Sequence, residues 1–312
     1  VTPMEVLLAT HDQHHLLDRV SPVQTRPRSG RMSIAVAYPG RDGAHSAAAC
    51  ERLFPQGAEL RPLSSFTAVA EATVAGTVDF GVLPIESSLH GPVAETHDLL
   101  HELPLSIVSE TALRIRHCLV GVEPVPLEQI RLVRSHPVAL DQCRGLLAAM
   151  PWATAVACSS TAEAAREVAE AGDRSQAAIA SERAARLFGL TILAGDVGDH
   201  QDAYTRFVAV STYTRLDRDG GVDWRTAFTF VTDHSPGALH RAIEPFARHK
   251  IDLVQLVSRP IPDSRWRYRF DAVLAGHPLD EVVRGALAEV RSRTQRLQVF
   301  GSYPAAQEGG EE

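Results

Sequence analysis

From residue 34 onward the chain alternates short β-rich runs with amphipathic helical stretches, and this rhythm constrains the fold more than any other feature. Candidate strands cover residues 34–38, 80–83, 130–133, 177–180, 190–193 and 205–211. Strands separated by helices indicate βα units in an α/β fold. One helix start is explicit: Ser160-Thr161-Ala162-Glu163 has capping-box spacing, with Ser160 placed to accept from an early amide and Glu163 to reach back. Residues 212–223, rich in Asp, Arg and Gly, read as a linker. Beyond them the pattern becomes strand 227–231, helix 238–249, strands 253–259 and 267–274, helix 279–293 and strand 297–303. That βαββαβ order is the ferredoxin-like arrangement. Its helices cover one face of its sheet, so pairing with a second copy, as a homodimer or tetramer, is expected.

A chain of 312 residues is long enough for two domains with a sizeable core. Hydrophobic residues at 45% and charged residues at 22% are ordinary for a globular protein. A net charge of -7 argues against general nucleic-acid or anionic-membrane binding and favours a small-molecule partner. Cys50, Cys118, Cys143 and Cys158 form no CxxC pair, so they are expected to be reduced. His90, His97 and His117 have no ligand spacing, and no metal is expected. No run approaches the ~20 apolar residues of a membrane span, and the first 30 residues do not resemble a secretory leader. A cytoplasmic location is expected. Residues 1–31 read as a disordered extension or as an over-called start, and residues 305–312 as a disordered tail.

Thr205-Arg206-Phe207 supplies a hydroxyl, a fixed cation and an aromatic ring within three residues. Strand alternation puts Thr205 and Phe207 on one face and Arg206 on the other, so all three serve one cleft only if the strand begins at its rim. Gly40 and Gly43, in a loop between a strand and a helix, allow backbone amides to approach a carboxylate near the helix start.

A longer ordered set of segments surrounds these residues: GRDGAHS at 40–46, LPIESSLHGPV at 83–93, HCL at 117–119, SHPVALDQC at 135–143, STAEAA at 160–165 and YTRF at 204–207. PGAL at 236–239, SRP at 258–260 and GSYP at 301–304 follow. With these, the chain resembles the prephenate dehydratase family with a C-terminal ACT domain, over residues 34–304. The resemblance implies two α/β lobes like a type 2 periplasmic binding protein over 32–212, a linker over 213–225 and an ACT module over 226–304. It further implies conversion of prephenate to phenylpyruvate, with loss of water and carbon dioxide, in L-phenylalanine biosynthesis, without metal or cofactor.

Carried onto this sequence, the resemblance makes Thr205, Arg206, Gln142 and Ser87 the catalytic candidates. Thr205 would assist the leaving hydroxyl, and Gln142 would donate its amide to a substrate oxygen. Arg206 would hold a carboxylate or brace the cleft from behind. Gly40, Gly43, Ala44, Glu86, Ser88, His136 and Phe207 are candidates for substrate binding, with capping open for His136 and a core role for Phe207. Gly237, Ala238, Leu239, Asp252, Val257, Ser258 and Arg259 are candidates for binding an amino-acid effector, expected to be L-phenylalanine.

Several positions depart from the family pattern. Ser87 replaces an Asn, Arg41 and Ala44 replace Pro and a hydroxyl residue, and Ala203 replaces an Asn. Val257 and Asp252 replace Glu and Asn in the last domain. They keep open a diverged relative acting on prephenate or a similar cyclohexadiene acid, for example by non-aromatising decarboxylation. A non-catalytic amino-acid sensor is the other alternative.

Overall fold

The computed structural model describes residues 33–214, 222–261, 264 and 267–306. The expected extension, most of the expected linker and most of the expected tail lie outside these residues. The first lobe is a six-stranded sheet in the order β2 (Glu59–Leu63), β1 (Ala35–Pro39), β3 (Phe80–Ser87), β11 (Tyr204–Ser211) and β5 (Ser106–Arg114), with β4 (Gly91–Pro92) also on β3. β1 runs parallel to β2 and β3, whereas β11 is antiparallel to β3 and β5. Every residue of β1 is buried because helices cover both faces. The helix α1 (His45–Leu53) lies on one face, with α2 (Phe66–Val74) and α3 (Ala94–Glu102) on the other.

The second lobe is a five-stranded sheet in the order β10 (Thr191–Ala194), β6 (Cys118–Gly121), β9 (Gln176–Ala180), β7 (Leu132–Ser135) and β8 (Thr154–Ala157). Its helices are α4 (Pro137–Asp141), α5 (Arg144–Ala149), α6 (Thr161–Ala171) and α7 (Glu182–Phe188). The chain crosses between lobes after β5 and returns before β11, and the two crossings are tied where Ile115 N donates to Ala203 O at 2.7 Å. This is the two-lobed arrangement expected from the sequence. Ser160 caps α6 by accepting from Glu163 N at 3.0 Å. The Glu163 carboxylate does not complete the box; it holds Arg166 and, at 2.9 Å, Arg41 of the first lobe.

The βαββαβ unit forms an antiparallel sheet, β13 (Leu253–Pro260), β14 (Tyr268–Ala275), β12 (Trp224–Val231) and β15 (Arg296–Pro304). Helices α8 (Ala238–Arg248) and α9 (Glu281–Ser292) pack Phe246, Val283 and Leu287 against Phe228 and Phe230 on one face. The other face is covered by the first lobe of the same chain: Ala227, Val273, Phe300 and Tyr303 share one core with Ile107, Val208 and Val210. Gly301 makes this approach possible, since its φ is +147° and a Cβ there would lie 2.1 Å from Ile107 O. The face for which the sequence reading expected a second copy is therefore occupied within the chain.

Five strands fall outside the β-rich runs of the sequence, one of them the two-residue β4. β2 is an edge strand containing Pro62 and β8 an exposed edge. β5 carries Glu110 where a core strand would be apolar, because that face meets Arg225 of the C-terminal unit. β6, only four residues long, follows directly after the first crossing.

Candidate active site

β11 places the central candidates. Thr205 stands opposite Ser87 on β3 and Leu113 on β5. Strand alternation puts Thr205, Phe207 and Ala209 on the α1 face, where Phe207, 3% exposed, packs with Tyr38, Ala47 and Cys50. Phe207 is thus a core residue. Arg206, Val208 and Val210 take the opposite face, toward the C-terminal unit.

Arg206 Nη1 lies 3.1 Å from Glu86 Oε2, and its Nε is 3.9 Å from Glu110. Arg225 of β12 pairs with Glu110 at 2.8 Å, and Gln255 of β13 donates to Glu86 at 2.9 Å. The Glu110 side chain is 1% exposed, and a buried carboxylate requires such cations. Arg206 thus lies in an ion-pair network with Glu86, Glu110 and Arg225, on the side of the sheet away from Thr205.

On the Thr205 side a polar line crosses between the lobes. Ser87 Oγ accepts from Leu89 N at 3.3 Å and His90 N at 3.4 Å, which fixes the turn after β3. Gln142, at the C-cap of α4, meets His90 Nδ1 through its Nε2 at 3.5 Å and His117 Nε2 through its Oε1 at 2.8 Å. Because the amide oxygen only accepts, His117 carries a proton on Nε2. The His45 ring stands edge-on to His117 at 6.2 Å. Burial lowers the His45 pKa to about 4, helped by His117, and burial also lowers that of His117 against the opposing effect of Gln142. Both rings are therefore neutral at pH 7, with His45 Nε2 and His117 Nδ1 buried without a partner. The sequence reading considered His117 and His90 only as metal ligands and did not single out His45. Their positions inside the 40–46, 83–93 and 117–119 segments were the available signal. Among the described residues no group of three could hold a metal ion.

The glycine loop has a different consequence from the one expected. Gly40 and Gly43 have φ of +105° and +89°, and a Cβ on Gly43 would lie 3.2 Å from Ala184 Cα of α7. Gly43 O accepts from Ser181 Oγ at 3.0 Å, so this loop is where the lobes touch. Arg41 with Glu163 and Arg183 with Glu51 add two interlobe ion pairs. Ala44 is the N-cap of α1 and offers no side-chain acceptor. His136 caps α4, its Nδ1 accepting from Val138 N at 3.2 Å. Ser88 Oγ accepts from Tyr204 N at 2.9 Å and locks β11 to the turn after β3. Glu86, Ser88 and Arg206 line a separate cavity behind the sheet.

In the C-terminal unit, Gly237, Ala238 and Leu239 line a cavity of about 450 Å³ with His234, Arg267 and Phe270. Gly237 adopts φ +75° as the N-cap of α8. Asp252, Val257, Ser258 and Arg259 do not line that cavity. Arg259 instead pairs at 2.6 Å with Asp98 of α3, which Arg269 also holds at 2.6 Å.

Residues 36–215, which span both lobes, match the family model described as prephenate dehydratase. The chain belongs to the prephenate dehydratase family. A family member from Arabidopsis thaliana, arogenate dehydratase/prephenate dehydratase 2, is 35% identical over 97% of this chain and 82% of its own length. A Komagataeibacter europaeus protein, the bifunctional N-acyl-homoserine lactone acylase/prephenate dehydratase, is 33% identical over 87% of this chain and 96% of its own. Among solved structures, the Arthrobacter aurescens prephenate dehydratase in complex with L-Phe has a TM-score of 0.79 at 31% identity, covering 88% of this chain and 90% of that one. This prephenate dehydratase family member thus matches its relatives through the C-terminal unit as well as the two lobes.

Proposed function

We propose that the chain converts prephenate to phenylpyruvate in L-phenylalanine biosynthesis, a carbon–oxygen lyase reaction. The observation that carries this reading is Thr205 beside Ser87 at the strand ends where the lobes meet, in a member of the prephenate dehydratase family. In the reaction the ring carboxylate leaves as carbon dioxide, its C–C electron pair enters the ring, and the ring hydroxyl departs as water. Aromatisation drives the step, so positioning and protonation of the leaving hydroxyl are the protein's main tasks. Thr205 donates to the departing oxygen, and Gln142, held between His90 and His117, orients the substrate.

The C-terminal unit is read as an ACT module, spanning residues 226–304, that senses L-phenylalanine at the Gly237 loop. The L-Phe complex of the Arthrobacter relative supports this. Edge strand β13, with Val254 and Leu256 exposed at 37% and 40%, is the surface for pairing with a second copy. A cytoplasmic setting accords with the finding that, among the described residues, no helix is long and apolar enough to cross a membrane.

The test is incubation of the purified chain with prephenate and, separately, with arogenate, with products identified by ultraviolet spectrum and mass. Phenylpyruvate from prephenate, lost in Thr205→Ala, is the expected result. A non-aromatic decarboxylated product would overturn the reading and make Ser87, Ala44 and Ala203 marks of another reaction.

A further inference from the structure

One cavity of the described residues belongs neither to the interlobe cleft nor to the Gly237 loop. It has a volume of about 640 Å³ and lies between the rear of the first sheet and β12. Its wall holds Arg206, Tyr204 and Ala112 on β11 and β5, Glu86 on β3, and Arg225 from the C-terminal unit. That volume is in the range of small-molecule sites.

The wall chemistry selects a ligand class. Each guanidinium has five N–H donors. Arg206 and Arg225 each direct one Nη1 to a carboxylate, at 3.1 Å and 2.8 Å, and their side chains remain 24% and 15% exposed. Donors are therefore left over for a ligand carboxylate, which guanidinium groups bind in a fork. Glu86, 28% exposed, has acceptor capacity beyond its contacts with Arg206 and Gln255 and supplies a seat for an ammonium. Tyr204, 38% exposed, and the Ala112 methyl form an apolar wall for a side chain. The two guanidinium groups balance the carboxylates of Glu86 and Glu110, so a zwitterion enters without leaving net charge.

We infer that this junction cavity is an α-amino-acid site, separate from the Gly237 loop, whose occupant bridges the strand bearing Thr205 to the C-terminal unit. The ligand carboxylate binds Arg206 and Arg225, the ammonium binds Glu86, and an aromatic or large aliphatic side chain lies on Tyr204. Occupancy reaches the reaction centre by a short route. Arg206 adjoins Thr205 in the chain, and Glu86 adjoins Ser87, its cross-strand partner.

The experiment is equilibrium dialysis of the full chain with radiolabelled L-phenylalanine, using the parent, Ala112→Trp to fill the junction cavity, and Gly237→Val to close the loop cavity. Two molecules bound per chain in the parent and one in each variant are expected. Tyr204→Ala, an exposed position with little risk to folding, is expected to weaken the junction class about tenfold or more. Binding lost in Gly237→Val but unchanged in Ala112→Trp and Tyr204→Ala would overturn the junction site, as would no binding in the parent. A single class lost in Ala112→Trp and indifferent to Gly237→Val would support the junction site and reject the effector reading of the Gly237 loop.

Discussion

The guanidinium of Arg206 lies 3.1 Å from the Glu86 carboxylate, on the side of β11 facing away from its neighbour Thr205. Two adjacent residues of one motif thereby serve two different surfaces. Thr205 takes the face of the sheet that α1 covers, and Arg206 joins the first lobe to the C-terminal unit. The consequences of changing them differ in kind.

Thr205→Ala is expected to lower kcat for prephenate by about 10²-fold or more, with KM changed little. Thr205→Ser, which keeps the hydroxyl, should recover most of the rate. Steady-state kinetics on the two variants decides this, and a parent-like rate in Thr205→Ala removes the residue from the mechanism.

Arg206→Gln is expected to destabilise the fold by about 1–3 kcal/mol, because Glu110 is left with one cation in a buried setting. The urea midpoint should fall accordingly, while Thr205→Ala, which breaks no ion pair, should melt near the parent. An unchanged midpoint in Arg206→Gln would show that its ion pairs contribute nothing net.

Gly301→Ala should separate the C-terminal unit from the first lobe. The new Cβ would sit 2.1 Å from a backbone oxygen, at φ +147° where only glycine is at ease. A loss of about 3 kcal/mol or more is expected, together with faster proteolysis between the unit and the lobes. A parent-like cleavage rate would mean that β15 can shift from Ile107 without cost.

His45 should make the protein acid-sensitive. Burial and the neighbouring His117 lower its pKa in the folded state to about 4, against an ordinary value of 6.5. Between these values the unfolded chain binds the extra proton, so stability is full above pH 6.5 and falls as pH drops toward 4. The loss is about 3 kcal/mol across that window. His45→Phe, which cannot titrate, should flatten the stability profile between pH 6.5 and 4. A slope equal to the parent's would assign the acid sensitivity to other groups.

Much of the fold was legible because hydrophobic periodicity is a local property. The change from βα alternation to the βαββαβ order marks the C-terminal unit, and the Ser160 cap follows from four consecutive residues. The site was legible in part. Thr205 pairs in register with Ser87, and Gln142 meets His90 of the turn that Ser87 fixes, while alternation already set Arg206 apart from Thr205. The partners of Arg206 were not visible, since Glu86 lies 120 positions away and Arg225 arrives from another unit. His45 carries no distinguishing neighbours in the chain, and its Nε2 becomes buried and its ring neutral only when α1 meets the crossing that bears His117.

The amino-acid order dictates which faces are apolar, which strands can form and where helices begin, because these depend on spacings of a few residues. Which face meets which was decided by the tertiary structure. The open face of the βαββαβ sheet could have paired with another copy; it settles on the first lobe because Gly301 lets two backbones come within contact and Glu110 requires Arg225. Contacts of that kind depend on shape and on charges brought together across the fold, and no local spacing encodes them.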